Sequence, residues 1–367
     1  MASAKKMSFQ SLATLGILFT TLAAILIFLG SKFYFTQFPL HQFSVTNAIT
    51  YTMLYVVGII LVNLFTVLFY AMNNFFVPNL ILGVLNFIVA ITLIILHSNN
   101  YSNNTLIYFY FIFFLLQGIF LAFIYFIYNK QHIAFSKSEL SQLHPLFKYA
   151  AFSLCSNLIF FFTYRIDYWF VEMYCTAAEL GNYIQASKLG QMLLIVPQIL
   201  ASAVFPATAN VSTKQDTAVT IPILSRIIVQ VFFVLTLLLL LIGKWLFPFV
   251  FGSSFQLVYW PMLLLMPGIA CLAILVLLSA YFGGRNKIFI NIMGVAIGLI
   301  VVVIADILLV KKWGIQGAAF ASSVAYFFNL VFCIYQFTKH AKMGFLQLLQ
   351  CKISDWIWLK QMLLSNK

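Results

Sequence analysis

Charge is what this sequence has least of. Of its 367 residues only 7% are charged, against roughly 25% in soluble domains, and just seven are acidic. That excludes an ordinary water-soluble globular chain. Cysteine is equally sparse: Cys155, Cys175, Cys271, Cys333 and Cys351 are scattered, with no CxxC and no paired spacing. Neither a disulfide framework nor a zinc site is implied. The histidines His41, His97, His132, His144 and His340 fall in loops or at helix ends, without an HExxH or a His/carboxylate pair, so neither a metal nor another cofactor is indicated. Long polar stretches are missing too. The longest internal loops, 31–46 and 129–148, are too short to fold alone, so no soluble domain and no catalytic constellation of an enzyme is expected.

What is present is apolar bulk: 63% hydrophobic residues, including 41 phenylalanines, and a mean hydropathy of +1.04. A helix crossing a hydrocarbon core of about 30 Å needs about 20 apolar residues. Segments of that kind run at 11–30, 47–70, 76–96, 105–128, 149–173, 184–210, 221–243, 258–282, 288–310 and 316–337. They do not alternate as barrel strands do. The expected fold is an all-α polytopic membrane protein with about ten transmembrane helices. The opening MASAKKMSFQ resembles the start of a signal peptide, but no small-residue cleavage pattern follows its apolar run, which reads as a transmembrane helix.

A net charge of +13 would suit nucleic acid if it were clustered, but it is sorted by side of the membrane. Lys5, Lys6, Lys130, Lys137, Lys148, Lys214, Arg226, Arg285, Lys287, Lys339, Lys342, Lys352, Lys360 and Lys367 fall on the side of the N-terminus. Lys32, Lys188, Lys244, Lys311 and Lys312 fall opposite. The positive-inside rule makes this topology rather than a nucleic-acid surface, with both termini in the cytoplasm.

An offset of 211 residues aligns Leu54 with Leu265, Tyr70 with Tyr281, Gly83 with Gly294 and Val84 with Val295. Such a duplication pairs the second and third helices with the eighth and ninth. The expected organisation is therefore a partial bundle of four helices over 1–137, a six-helix bundle over 138–340, and a tail at 341–367. In the tail, Leu346, Leu349, Ile353, Trp356, Ile357 and Leu364 form one face, as in a helix lying at the cytoplasmic interface. The first bundle would then be two helices short of a symmetric twelve.

Charge inside an apolar span costs about 2.5–3.5 kcal/mol, so side chains kept there usually meet a cavity or a partner. Counting 100° per residue along 149–173 places Arg165, Tyr168, Trp169 and Glu172 on one face and Ser153, Ser156, Thr163 and Asp167 on another. Arg165 and Asp167 cannot pair within one helix. In the next helix Lys188, Gln191, Gln198, Ser202 and Asn210 form a polar seam, and Pro197 and Pro206 are expected to kink it. Asn63, Asn79, Asn86, Gln117, Gln230, Asn291 and Asn329 read as packing contacts, and Gly294 with Gly298 as close helix packing within the bundle. Asp306 is expected near a helix end, paired with Lys311 or solvated.

The run YRIDYWFVEMYCTAAELGNYIQASKLGQMLLIVPQILASAVFPATAN, with Arg165 and Asp167, then Gly181, Tyr183 and Ala186, then Pro197 and Pro206, resembles the polysaccharide and O-antigen flippases of the multidrug/oligosaccharidyl-lipid/polysaccharide exporter superfamily. So do Gly252, Gly283, Gly284 and Lys287, and the later GIQGAAFAS. The resemblance implies two pseudo-repeated bundles (four plus six helices here, the first two of the family's helices missing) in the cytoplasmic membrane. It implies export of an undecaprenyl-diphosphate-linked oligosaccharide for surface polysaccharide assembly, with a glycan polymerase and other assembly proteins as partners. Arg165, Trp169, Lys188, Gln191 and Gln198 would receive the substrate; Asp167 and Glu172 would serve coupling or structure. The alternatives are a cation-coupled multidrug exporter of the same superfamily, a membrane enzyme that polymerises or ligates glycans, and an inactive truncated scaffold.

Overall fold

The computed structural model describes residues 9–37, 45–72, 74–129, 143–209, 214–341 and Asp355. Every regular element among them is helical. Contacts divide the chain into two compact units, Met1–His144 and Pro145–Lys367, where the sequence suggested a boundary at 137.

The first unit holds α1 (Phe9–Gln37), α2 (Val45–Ala71), α3 (Phe76–Ser98) and α4 (Asn103–Asn129). Their apolar residues lie all round each helix, the pattern of a segment that faces lipid as well as protein. The unit's small core is Ala13, Phe65, Leu68, Phe69, Leu121 and Tyr125. Helices α2 and α4 meet at two glycines. A Cβ on Gly118 would lie 2.7 Å from Cβ of Leu61 and 2.9 Å from the Gly58 carbonyl oxygen, and one on Gly58 would lie 2.5 Å from the Phe114 carbonyl carbon. Removing both side chains is what lets the backbones touch. Three of the isolated amides expected to be packing contacts are so here: Gln117 donates to Asn86 at 2.8 Å, and Asn79 accepts from the Tyr70 hydroxyl at 2.9 Å.

The second unit comprises α5 (Leu143–Thr163), α6 (Ile166–Tyr174), α7 (Ala177–Leu193), α8 (Ile195–Ala209), α9 (Lys214–Phe251), a 3-10 turn (Ser253–Val258), α10 (Tyr259–Gly284) and α11 (Ile288–Ala341). At 54 residues α11 would be about 81 Å long if straight, far more than one crossing. It breaks at Gly314, whose φ of 55° and ψ of −136° belong to glycine alone. The α6–α7 corner is fixed by a capping box. Thr176 accepts from the Glu179 amide, and the Glu179 carboxylate accepts from the Thr176 amide at 2.8 Å. Helix α10 is the buried centre of the unit, with Met266, Leu272, Leu277, Tyr281 and Phe282 enclosed. It packs against α7, α8, α9 and α11. A Cβ on Gly268 would sit 2.6 Å from Cα of Ser323, so α10 also rides directly on α11.

Seven helices among the described residues are long and apolar enough to cross a membrane, or eight if the bent pair α7–α8 is one span. That measure takes Ile288–His340 as one although Gly314 divides it, so it neither reaches nor rules out the ten segments expected from the sequence. The expected GxxxG packing is intra-bundle: Gly294 abuts Asn329 and Cys333, and Gly298 faces Thr163, Ala325 and Asn329. Arg226, assigned from sequence to topology alone, is buried and forms a two-pronged ion pair with Asp355, at 2.7 Å from Nε and 2.6 Å from Nη2. The remainder of the interfacial tail, beyond Ala341, lies outside the described residues.

Gly118→Val is expected to prise α2 from α4 and destabilise the first unit by about 1–3 kcal/mol. Gly83→Ala, where a Cβ would meet nothing within 4 Å, should leave stability unchanged. Denaturant unfolding of the detergent-solubilised protein followed by far-UV circular dichroism separates the two, since the six tryptophans all lie in the second unit.

Candidate functional site

The polar residues of the second unit gather in two adjoining places, both created by breaks in helices. At the first break, α5 ends at Thr163 and α6 starts at Ile166. Between them the Tyr164 amide donates to Phe160 and Phe161, the Arg165 amide to Phe162, and Arg165 takes φ of −130° and ψ of −14°. The second lies at Leu194, where α7 and α8 meet at 42°. Pro197 three residues on has no amide to give, so the ladder cannot run straight through.

A cavity of about 420 Å³ opens between these breaks and α10 and α11. Its polar lining is Ser156, Asn157, Arg165, Gln191, Gln198, Ser279, Asn291 and Asn329; Leu194, Leu272, Leu275, Val276 and Val295 form its apolar wall, with Phe160, Phe161 and Tyr164 beside Arg165. The Arg165 guanidinium lies 5.0 Å from the Tyr168 ring and 6.0 Å from Tyr164, held by cation–π contacts. No carboxylate pairs with it among the described residues. The Nε2 of Gln191 is buried without a hydrogen-bond acceptor among the described residues. Among the described residues, Arg165 is the only charged side chain in the cavity lining.

Behind this wall lies a second cluster. Asp167 is 2% exposed and accepts from the hydroxyls of Tyr183, a very short contact, and of Ser322 at 3.0 Å. Its other oxygen has no donor among the described residues. Asp306 is fully buried, neither of its oxygens has a partner there, and it lies within electrostatic reach of Asp167 and Tyr183. Four pieces of backbone supply this cluster: α6, α7 and both limbs of α11.

Of the residues singled out from sequence, Arg165, Gln191 and Gln198 meet in the cavity. Trp169 (62% exposed), Glu172 and Lys188 do not; all three point outward from the unit. The face count that grouped Arg165 with Trp169 and Glu172 assumed one unbroken helix, and the break at Tyr164–Arg165 turns α6 away. Ser202 of the seam bonds its own helix at Ile199, and Asn210 lies outside the described residues. The structure corrects the placing of Asp306: it is not solvated or paired with Lys311, which is exposed. Five residues along a helix is about 140° around it, a different face. Asn291 and Asn329, taken for packing contacts, line the cavity. Their α11 spacing could not reveal this without the position of α5.

No family model matches the sequence. Among curated proteins, Agl15 of Haloferax volcanii, described as a probable low-salt glycan biosynthesis flippase, is 21% identical over 238 residues, covering 62% of this chain and 50% of that protein. The chain thus spans about half the length of the curated relative it matches. Among solved structures, the lipid II flippase MurJ in an inward closed conformation superposes with a TM-score of 0.61 at 15% identity over 99% of this chain and 80% of that one. A mutant of the Vibrio cholerae MATE transporter VcmN superposes at 0.75, with 12% identity over 93% and 80%. At these identities the likeness establishes the fold alone, a multi-pass helical membrane fold shared with these two proteins.

Tyr183→Phe removes a donor from a buried carboxylate and is expected to cost about 1.5–3 kcal/mol, lowering the thermal unfolding midpoint in detergent. Tyr174→Phe, on an exposed ring, should not move it.

Proposed function

We propose that this chain is a flippase that carries a lipid-linked oligosaccharide, through its diphosphate and sugars, across the cytoplasmic membrane for surface-glycan assembly. The observation that carries the reading is the sign of the cavity. Among the described residues its lining holds one charge, the guanidinium of Arg165, surrounded by amides and hydroxyl groups within an apolar bundle. A guanidinium stays charged and matches phosphate geometry. The amides of Asn157, Gln191, Gln198, Asn291 and Asn329 offer both donors and acceptors, as sugar hydroxyls require. At about 420 Å³ the cavity falls in the range of small-molecule sites, so it holds the polar head while the lipid tail stays in the bilayer.

Movement across the membrane is by alternating access. Asp167 and Asp306 supply the coupling. Two carboxylates within reach of one another in a dry interior do not both stay ionised without a positive partner. A proton or a monovalent cation is that partner, and its arrival and departure change the contacts of Tyr183 and Ser322 that join α6, α7 and α11. Both termini are cytoplasmic on the positive-inside reading, and a glycan polymerase or other assembly protein is the expected neighbour in the same process.

A second reading has its own support. Buried carboxylates suit a cation-coupled multidrug exporter, and Asp306 adds a second to Asp167. The cavity argues against it, because a cationic drug would meet Arg165 and no carboxylate.

In cells, Arg165→Ala is expected to lower surface-glycan display by about 10- to 100-fold, the worth of a charged hydrogen bond, with lipid-linked units accumulating on the cytoplasmic leaflet. Wild-type display at matched protein levels overturns the assignment. In vesicles, Asp167→Asn and Asp306→Asn should each flatten the dependence of transport on pH or on the monovalent cation. An unchanged dependence makes the pair structural.

A further inference from the structure

Away from the cavity and the carboxylate pair, basic side chains collect where α10 turns into α11. Helix α10 ends at Gly284; Arg285, Asn286 (φ 57°) and Lys287 make the turn; α11 starts at Ile288. The break at Gly314 returns the second limb of α11 to this turn. Its final residues, Lys339 and His340, therefore lie beside Lys287: the Lys287 ammonium nitrogen is 2.9 Å from Nδ1 and 3.1 Å from Nε2 of His340. The base beneath is rigid and aromatic. Tyr281, Phe282 and Phe337 are fully buried, the Tyr281 and Phe337 rings are 4.9 Å apart, and the Arg285 guanidinium lies 4.4 Å above Tyr281.

The charges whose fields reach His340 are those of Lys287, Lys339 and Arg285, all of one sign. None of Lys287, Lys339 and His340 meets a carboxylate among the described residues. Like charges held together by a fixed backbone repel, and an anion between them removes the repulsion. The position of the turn says which anion. It joins two apolar elements, Ser253–Gly284 and Ile288–His340, so it lies where hydrocarbon gives way to headgroups. Lys287 and His340 are half-buried and Lys339 is exposed, which leaves the cluster open to a ligand arriving from the membrane surface.

We propose that the α10–α11 turn, through Arg285, Lys287, Lys339 and His340, binds the phosphate of an anionic lipid headgroup. A bound headgroup ties the start of one α11 limb to the end of the other across the membrane boundary. The site is independent of what the cavity carries.

The test uses the full chain in detergent, with phosphatidylglycerol, phosphatidylcholine and inorganic phosphate as separate probes. Native mass spectrometry reads the lipid retained, and the thermal unfolding midpoint reads the stabilisation. Phosphatidylglycerol should be retained over phosphatidylcholine and raise the midpoint. Lys287→Gln and Lys339→Gln should each weaken its binding by about fivefold, and Lys312→Gln, at the far end of the same limb, should not. Lys339 is exposed, so its variant tests the site without disturbing the aromatic base. Equal retention of the two lipids overturns the proposal, as does unchanged binding by both variants. Stabilisation by inorganic phosphate equal to that by phosphatidylglycerol also overturns it, because the site would then serve a free anion.

Discussion

In hydrocarbon, a backbone amide or carbonyl without a partner costs several kcal/mol, so a chain leaves its helical ladder only where protein or water covers the gap. The second unit does so inside its apolar segments at Tyr164–Arg165, at Leu194 and at Gly314. The first two flank the cavity, and the third lets one long helix return along itself. Covering them takes a wide, well-packed centre, which α10 supplies. The first unit, with a core of six buried residues around α2 and α4, has no comparable break within α1 to α4. The polar chemistry sits in the unit that can enclose it.

Two opposite charges also stay apart: Arg165 and Asp167, two residues along the chain, face different ways, as that spacing requires. Arg165 sits at the corner and looks into the cavity; Asp167 begins α6 and is turned into the bundle, between Tyr183 and Ser322. A buried Arg–Asp pair would have neutralised both, and its desolvation cost can exceed the attraction gained. Kept apart, the guanidinium is available to an anionic group and the carboxylate to a cation. Tyr164 and Tyr168 keep the guanidinium in place through their ring faces without cancelling its charge.

Much of this was legible in the sequence. Apolar length gives helices whatever their packing, so the described residues of the ten segments fall on helical structure except at the Tyr164–Arg165 corner and the Leu194 bend, and Pro197 announces the latter. Arg165, Gln191 and Gln198 stand out because charge and amides are costly in lipid. What could not be read were relations between distant elements. The outward turn of Trp169 and Glu172 depends on the corner at Tyr164–Arg165, which no proline or glycine marks. Asp306 looked like a helix-end residue because Lys311 follows it, while its burial depends on α6 and α7. Tyr183 and Ser322 become partners of Asp167 only once α11 has folded back at Gly314.

The Arg226–Asp355 pair carries a consequence for the order in which the molecule is made. Its partners lie 129 residues apart, and a ribosome delivers Arg226 long before Asp355. Until Asp355 emerges, α9 holds a guanidinium whose carboxylate partner has not yet been synthesised. The ion pair therefore forms only after α10 and α11 have been made, so it cannot guide the insertion of α9 while they are still being synthesised.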